Sequence, residues 1–281
     1  MKNYPEFEGL LMEQEAGATT LLFKYIHVLK RFFSENSNMS NDELKKEMNY
    51  FYDKVIKAHP LMAIFPNLHN HIKNDSGNLV ELLDNFAEEI NKNIQLTVDK
   101  SFELLKNNNK IFTFSHSSII RKAIMNAVEK KIDISVSMTE ARPACEGIAL
   151  AKFLSNNDVP VSLYTDAAME RAIDLSDIVI VGSDWYWHQG FVNKIGTHSV
   201  LRIAYEREVP FYILVDSSKF MNNPPKDWSQ DKHNPTDILK EAKENITVFN
   251  PYFESIWYRG VTGIIIDGII VDFDENGKLK I

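Results

Sequence analysis

Two short polar clusters stand directly after β-branched apolar runs: Ser115-His116-Ser117-Ser118 after IFTF, and Gly182-Ser183-Asp184 after DIVIV. Hydroxyls, an imidazole and a carboxylate at such places can move protons and hold a sugar or a phosphate. Three further apolar runs end in the same manner. One is followed by Thr139, Glu140, Arg142 and Glu146, another by Thr165 and Asp166, and a third by Asp216, Ser217, Ser218 and Lys219. Asn193 and Lys194 lie a few residues beyond Asp184, and Arg142, Lys194 and Lys219 supply positive charge for an anion.

Each of these residues also has a structural alternative. Asp184 can serve as a strand-end hydrogen-bond acceptor, and Asn193 and Lys194 can brace the helix that follows them. Arg142 can pair with Glu140 or Glu146. Trp185, Tyr186 and Trp187 can stack on a ligand, form a dimer seam or close a pocket.

The elements that must position these groups follow from periodicity. IFTFS, IDISVSM, VPVSLYT, DIVIVGSD and VPFYILVDS are short β-rich runs, and GVTGIIIDG is a sixth candidate. SIIRKAIMNAVEKK, CEGIALAKFLSN, AAMERAID and KIGTHSVLRIAYER lie between most of them with helical spacing. Alternating β and α units with right-handed crossovers predict an α/β fold with a mainly parallel, doubly wound sheet. Its strand carboxyl ends then share one edge, where ligands bind.

Before Lys110 the pattern is helical. Leu22, Ile26, Leu29 and Phe33 share one face, and Ser40 to Glu43 reads as a capping box opening a helix that Pro60 ends. LMAIFPNLHNHIKNDSGN reads as irregular, with His69 and His71 too few for a metal site. From Leu79 to Leu105 one apolar stripe predicts a spine helix about 40 Å long. The expected division is a helical domain over 1–109 and a Rossmann-like domain over 110–281.

With 281 residues, 44% hydrophobic, the chain can build a sizeable core, and a formal charge of −8 argues against direct nucleic-acid binding. No segment approaches the roughly 20 apolar residues of a membrane helix, so a cytoplasmic protein is expected. Cys145 is the sole cysteine, which excludes an internal disulfide. No cofactor or metal is expected.

TEARP, then EG, VPVSLYTDAA, DIVIVGSD, VNKIGT, VPFYILVDSSK and NPYFE occur in the order of one superfamily. Over roughly Lys110 to Asp267 the chain resembles the translation initiation factor 2B alpha, beta and delta subunits, ribose-1,5-bisphosphate isomerase and methylthioribose-1-phosphate isomerase. The resemblance implies an amino-terminal helical domain, a Rossmann-like half that dimerises, and a phosphosugar pocket between them. It implies substrate contacts from Gly17, Ala18, Ser117, Arg142, Asn193, Lys194 and Lys219. In the isomerases, catalysis is attributed to a first-strand cysteine and an aspartate in a GAD motif. GSD keeps the aspartate as Asp184, whereas TFSHSS places Ser115 on the cysteine's position, with His116 beside it as a candidate base. Where the isomerases carry an arginine ahead of Gly17 and Ala18, this chain has Glu13, Gln14 and Glu15.

Two functions follow as expectations. One is a phosphosugar or nucleotide-sugar pocket with aldose–ketose isomerase chemistry. The other is a non-catalytic regulatory subunit that senses a sugar phosphate or nucleotide and binds initiation-factor partners. Both imply a homodimer or larger assembly.

Overall fold

The computed structural model describes residues 4–13, 16–226, 228, 233–241 and 243–280. The first part is helical: α1 (Pro5–Met12), α2 (Ala18–Glu35), α3 (Asn41–Ala58), α4 (Ile64–Lys73) and α5 (Leu79–Leu105). The capping box of α3 forms as read, with the Ser40 hydroxyl accepting from the Glu43 amide and the Glu43 carboxylate accepting from the Ser40 amide. Two helices depart from the sequence reading. α1 precedes the expected first helix, and α4 occupies the segment taken as irregular, because Pro66 stands in its opening turn, where a missing amide breaks no helical bond.

The central sheet uses β1 (Lys110–Thr113), β2 (Ser135–Thr139), β3 (Val161–Tyr164) and β4 (Ile178–Val181), with α6 (Ser118–Glu129), α7 (Glu146–Ser155) and α8 (Met169–Asp174) between them. After β4 the chain departs from the βα alternation. β5 (Trp185–Trp187), β6 (Gly190–Lys194) and a later β8 (Phe253–Trp257) make a separate antiparallel sheet, with α9 (Thr197–Glu206) and β7 (Phe211–Val215) in between. β9 (Gly263–Ile266) rejoins the main sheet, and β10 (Ile269–Val271) pairs antiparallel with it across an Asp267-Gly268 turn, both residues at positive φ.

Among the described residues the main sheet runs β10-β9-β7-β4-β1-β2-β3, parallel except for β10. Counting parallel strands in chain order, this is the doubly wound order 3-2-1-4-5-6, whose switch point falls between β1 and β4. The alternation within β4 shows why its sequence is continuously apolar. Ile178 and Ile180 join the core shared with α2–α7, while Val179 and Val181 join the core under α8 and α9. One continuous core therefore runs from the amino-terminal helices to one face of the sheet.

Trp185, Tyr186 and Trp187 form β5. Trp185 and Trp187 pack with Leu61, Ala63 and Val192, and Tyr186 points into the core under α8 and α9. All three are buried, none lines the cavity at the β1–β4 switch point, and they act as the seam between the small sheet and the rest of the fold. Lys194 closes β6 and does not start the following helix, which begins at Thr197.

Candidate functional site

At the switch point the chain leaves β1 and β4 in opposite directions and opens a cavity of about 340 Å³. Its walls come from the start of α2, the end of α3, the Ser115–Ser118 loop, the Gly182–Asp184 loop, the end of β6 and the turn into β8. The two loops are in contact. A Cβ added to Gly182 would lie 2.9 Å from the Ser117 Cβ and closer still to its hydroxyl, so a larger residue would force the loops apart. Ser115 itself sits at φ 65°, a strained conformation for serine.

Asp184 is held from three sides. Its amide donates to the Val192 carbonyl at 3.0 Å, its carbonyl accepts from the Ala63 amide at 3.0 Å, and its carboxylate accepts from the Ala18 amide at the start of α2. Burial raises its pKa, against the opposing pull of Lys219, Lys194 and the Ala18 hydrogen bond. The side chain is thus biased toward its protonated form while standing on the cavity wall.

Lys194 is buried and donates to Glu146 at 2.6 Å, with side-chain exposures of 4% and 9%. Its ammonium also lies 4.1 Å from the centre of the Tyr252 ring. Lys219, likewise buried, donates to the Ser183 carbonyl at 2.8 Å. Asn193 turns its amide to Thr197 Oγ1 at 3.0 Å, so it braces the start of α9 as well as lining the cavity. His116 has its pKa lowered by burial and by Arg121, and it presents a neutral imidazole near pH 7.

The structure brings Gly17, Ala18, Ser115, His116, Ser117, Asp184, Asn193, Lys194 and Lys219 to one cavity. Arg142 stands apart. It is exposed, its guanidinium donates to the Asp237 carbonyl at 2.7 Å, and its amide donates to the Asp166 carboxylate. Neither Glu140 nor Glu146 is its partner, because Glu146 has turned to Lys194. Cys145 is the half-buried N-cap of α7 and lies outside the cavity wall. Glu13 lines the cavity and pairs with Lys24 at 3.0 Å, while Gln14 and Glu15 lie outside the described residues.

Among the wall residues that sequence reasoning missed are His59, His233 and Tyr252. His59, at the end of α3, donates from Nε2 to the Leu10 carbonyl at 2.9 Å, and burial lowers its pKa. His233 stacks on Tyr252 with ring centres 3.4 Å apart, and both line the cavity. NPYFE marked Tyr252 only as part of a motif. His59 and His233 had no local signal, since chain segments far apart in sequence deliver them.

The Initiation factor 2 subunit family matches residues 14–272. Ribose 1,5-bisphosphate isomerase of Methanocaldococcus jannaschii is 29% identical over 238 residues, covering 82% of this chain and 75% of the relative. Among solved structures, the translation initiation factor eIF-2B of Pyrococcus horikoshii OT3 superposes with a TM-score of 0.81 at 24% identity, covering 95% of each chain. The 5-methylthioribose 1-phosphate isomerase of the same organism gives 0.76 at 19% identity, covering 95% of this chain and 83% of the other. The two structures share the fold described above, and with the family matched over most of its length the chain belongs to the Initiation factor 2 subunit family.

Proposed function

We propose that the chain binds a phosphosugar in the cavity beside Asp184 and converts an aldose phosphate to a ketose phosphate. The observation that carries this reading is the Asp184 carboxyl, biased toward protonation by burial and fixed by the Ala18 amide on the cavity wall. It is supported by relatives named as sugar-phosphate isomerases.

One carboxyl suffices for the proton traffic. For a furanose 1-phosphate, protonated Asp184 gives its proton to the ring oxygen, and the bond between C1 and that oxygen breaks with its electron pair going to oxygen. The resulting C1 cation is stabilised by the oxygen that bears the phosphate. A hydride moves from C2 to C1, the O2 proton returns to the Asp184 carboxylate, and a C2 ketone remains. The scheme requires no thiol, so Ser115 at the cysteine's position is compatible with turnover. Ser117 and the start of α6 can receive the phosphate, because the α6 N-cap has no side-chain bond of its own.

The test is incubation with ribose 1-phosphate, ribose 1,5-bisphosphate and 5-methylthioribose 1-phosphate, followed by detection of ketose. The expected result is ketose from at least one of them, and its absence from all three removes the catalytic reading.

A second reading, a regulatory subunit that senses a metabolite, is favoured by Ser115 and by Glu13 on the cavity wall. It predicts that phosphosugars bind without turnover and that immobilised chain retains initiation-factor subunits from its host. Both readings imply self-association through the sheet-bearing half, where Tyr205, Trp257 and Ile269 are exposed. Light scattering at micromolar concentration should find a dimer or larger species.

A further inference from the structure

The cavity wall has little positive charge to spare before any ligand enters. Among the described wall residues the lysines are Lys57, Lys194 and Lys219, and the carboxylates are Glu13, Glu146 and Asp184. Lys194 is committed to Glu146 in a buried pair, and the other Glu146 oxygen, Oε2, is buried without a partner, so that end of the cavity offers an anion no spare positive charge. Lys219 is held by the Ser183 carbonyl and attracts Asp184. His59 and His116 are biased to the neutral form by burial and add no positive charge near pH 7.

Protein groups also occupy backbone amides at several helix starts around the cavity. The Ala18 amide of α2 serves the Asp184 carboxylate, and the Ala63 amide before α4 serves the Asp184 carbonyl. At α9 the Glu254 carboxylate accepts from the Gly196 and His198 amides, both at 2.8 Å. The start of α6 carries no such protein acceptor, and its Ser117 and Ser118 are on the wall.

We infer that the cavity takes a sugar carrying a single phosphate and disfavours a bisphosphate, and that Glu146 sets this preference by holding Lys194. A second phosphate would bring roughly two more negative charges to a wall whose buried lysines are Lys194, paired with Glu146, and Lys219, the one left outside an ion pair to serve the first phosphate. Glu146 thus acts as a specificity residue through Lys194, without touching the reacting atoms. The inference rests on the phosphosugar reading above and narrows it to a ligand class.

The test measures binding of ribose 1-phosphate, ribose 5-phosphate and ribose 1,5-bisphosphate to the full chain by calorimetry, beside ketose formation. In wild type the better monophosphate should bind at least about tenfold more tightly than the bisphosphate. In Glu146→Gln, Lys194 is released to meet a second phosphate, so the ratio should fall by about tenfold or invert. The bisphosphate should also raise the melting temperature of the variant more than that of wild type. A role of Glu146 in packing alone would lower stability without moving the ratio. Equal or tighter binding of the bisphosphate by wild type overturns the inference and leaves the isomerase reading standing. Preferential monophosphate binding without ketose keeps the inference and removes the isomerase reading. Failure of all three sugars and of 5-methylthioribose 1-phosphate to bind overturns both. The wild-type comparison decides the monophosphate preference even if the variant does not fold.

Discussion

At the scale of single residues, Asp184 carries most of the chemistry, and its burial makes separate predictions for rate and stability. If the protonated carboxyl starts the reaction, kcat/KM should fall as pH rises through its elevated folded pKa. The same group affects folding. Its folded pKa lies above the unfolded value, so its contribution is full below the ordinary aspartate range and is lost as pH rises through the folded pKa. The melting temperature of Asp184→Asn relative to wild type should therefore climb over that window and be flat on its acid side. A flat difference throughout would show that burial does not shift the group. His116 runs the other way: with its pKa lowered, its contribution is present above about 6.5 and is lost as pH falls through the folded value. His116→Gln should therefore lose less stability than wild type on acidification below that point.

At the scale of elements, the β1 and β4 loops meet because Gly182 has no side chain. Gly182→Ala should cost about 1–3 kcal/mol in denaturant unfolding by overpacking and weaken phosphosugar binding. Ser117→Gly in the same chain should restore part of both, whereas equal losses in the double variant would show that the contact does not matter. Ser40→Ala removes the α3 capping box and should cost about 1 kcal/mol without touching binding. These elements also show what the sequence made legible. The βα alternation, the spine helix and the capping box followed from periodicity and local side-chain chemistry. β5 and β6 did not, because they turn at His188-Gln189 without the Asn-Gly or Asp-Gly signal of a tight hairpin, and a motif beginning at VNK drew attention to the helix after it. α4 was missed because Pro66 and its polar neighbours look like a loop in one dimension.

At the scale of the whole molecule, the doubly wound order places the cavity, and the small antiparallel sheet closes one side of it by carrying Asn193 and Lys194 on β6 opposite Glu254 and Phe253 on β8. The wall residues from Ser115 to Ser118, Gly182 to Asp184 and Lys219 were legible as strand-end polar groups, because a parallel sheet must gather those ends on one edge. The same rule put Arg142 on that edge, and the structure sets it outside the cavity wall. It follows β2, one strand from the switch point, and is drawn outward to the Asp237 carbonyl. The pairing of Lys194 with Glu146 joins segments 48 residues apart and is visible only in three dimensions. The central claim, that this cavity performs sugar-phosphate isomerisation through Asp184, is tested most directly by comparing wild type with Asp184→Asn. Ketose formation should be followed on the phosphosugar that binds best, with binding measured alongside. The account predicts turnover by wild type and a loss of at least about a hundredfold in kcat for Asp184→Asn, with binding retained. Undiminished turnover by the variant, or ketose from neither protein, would contradict it.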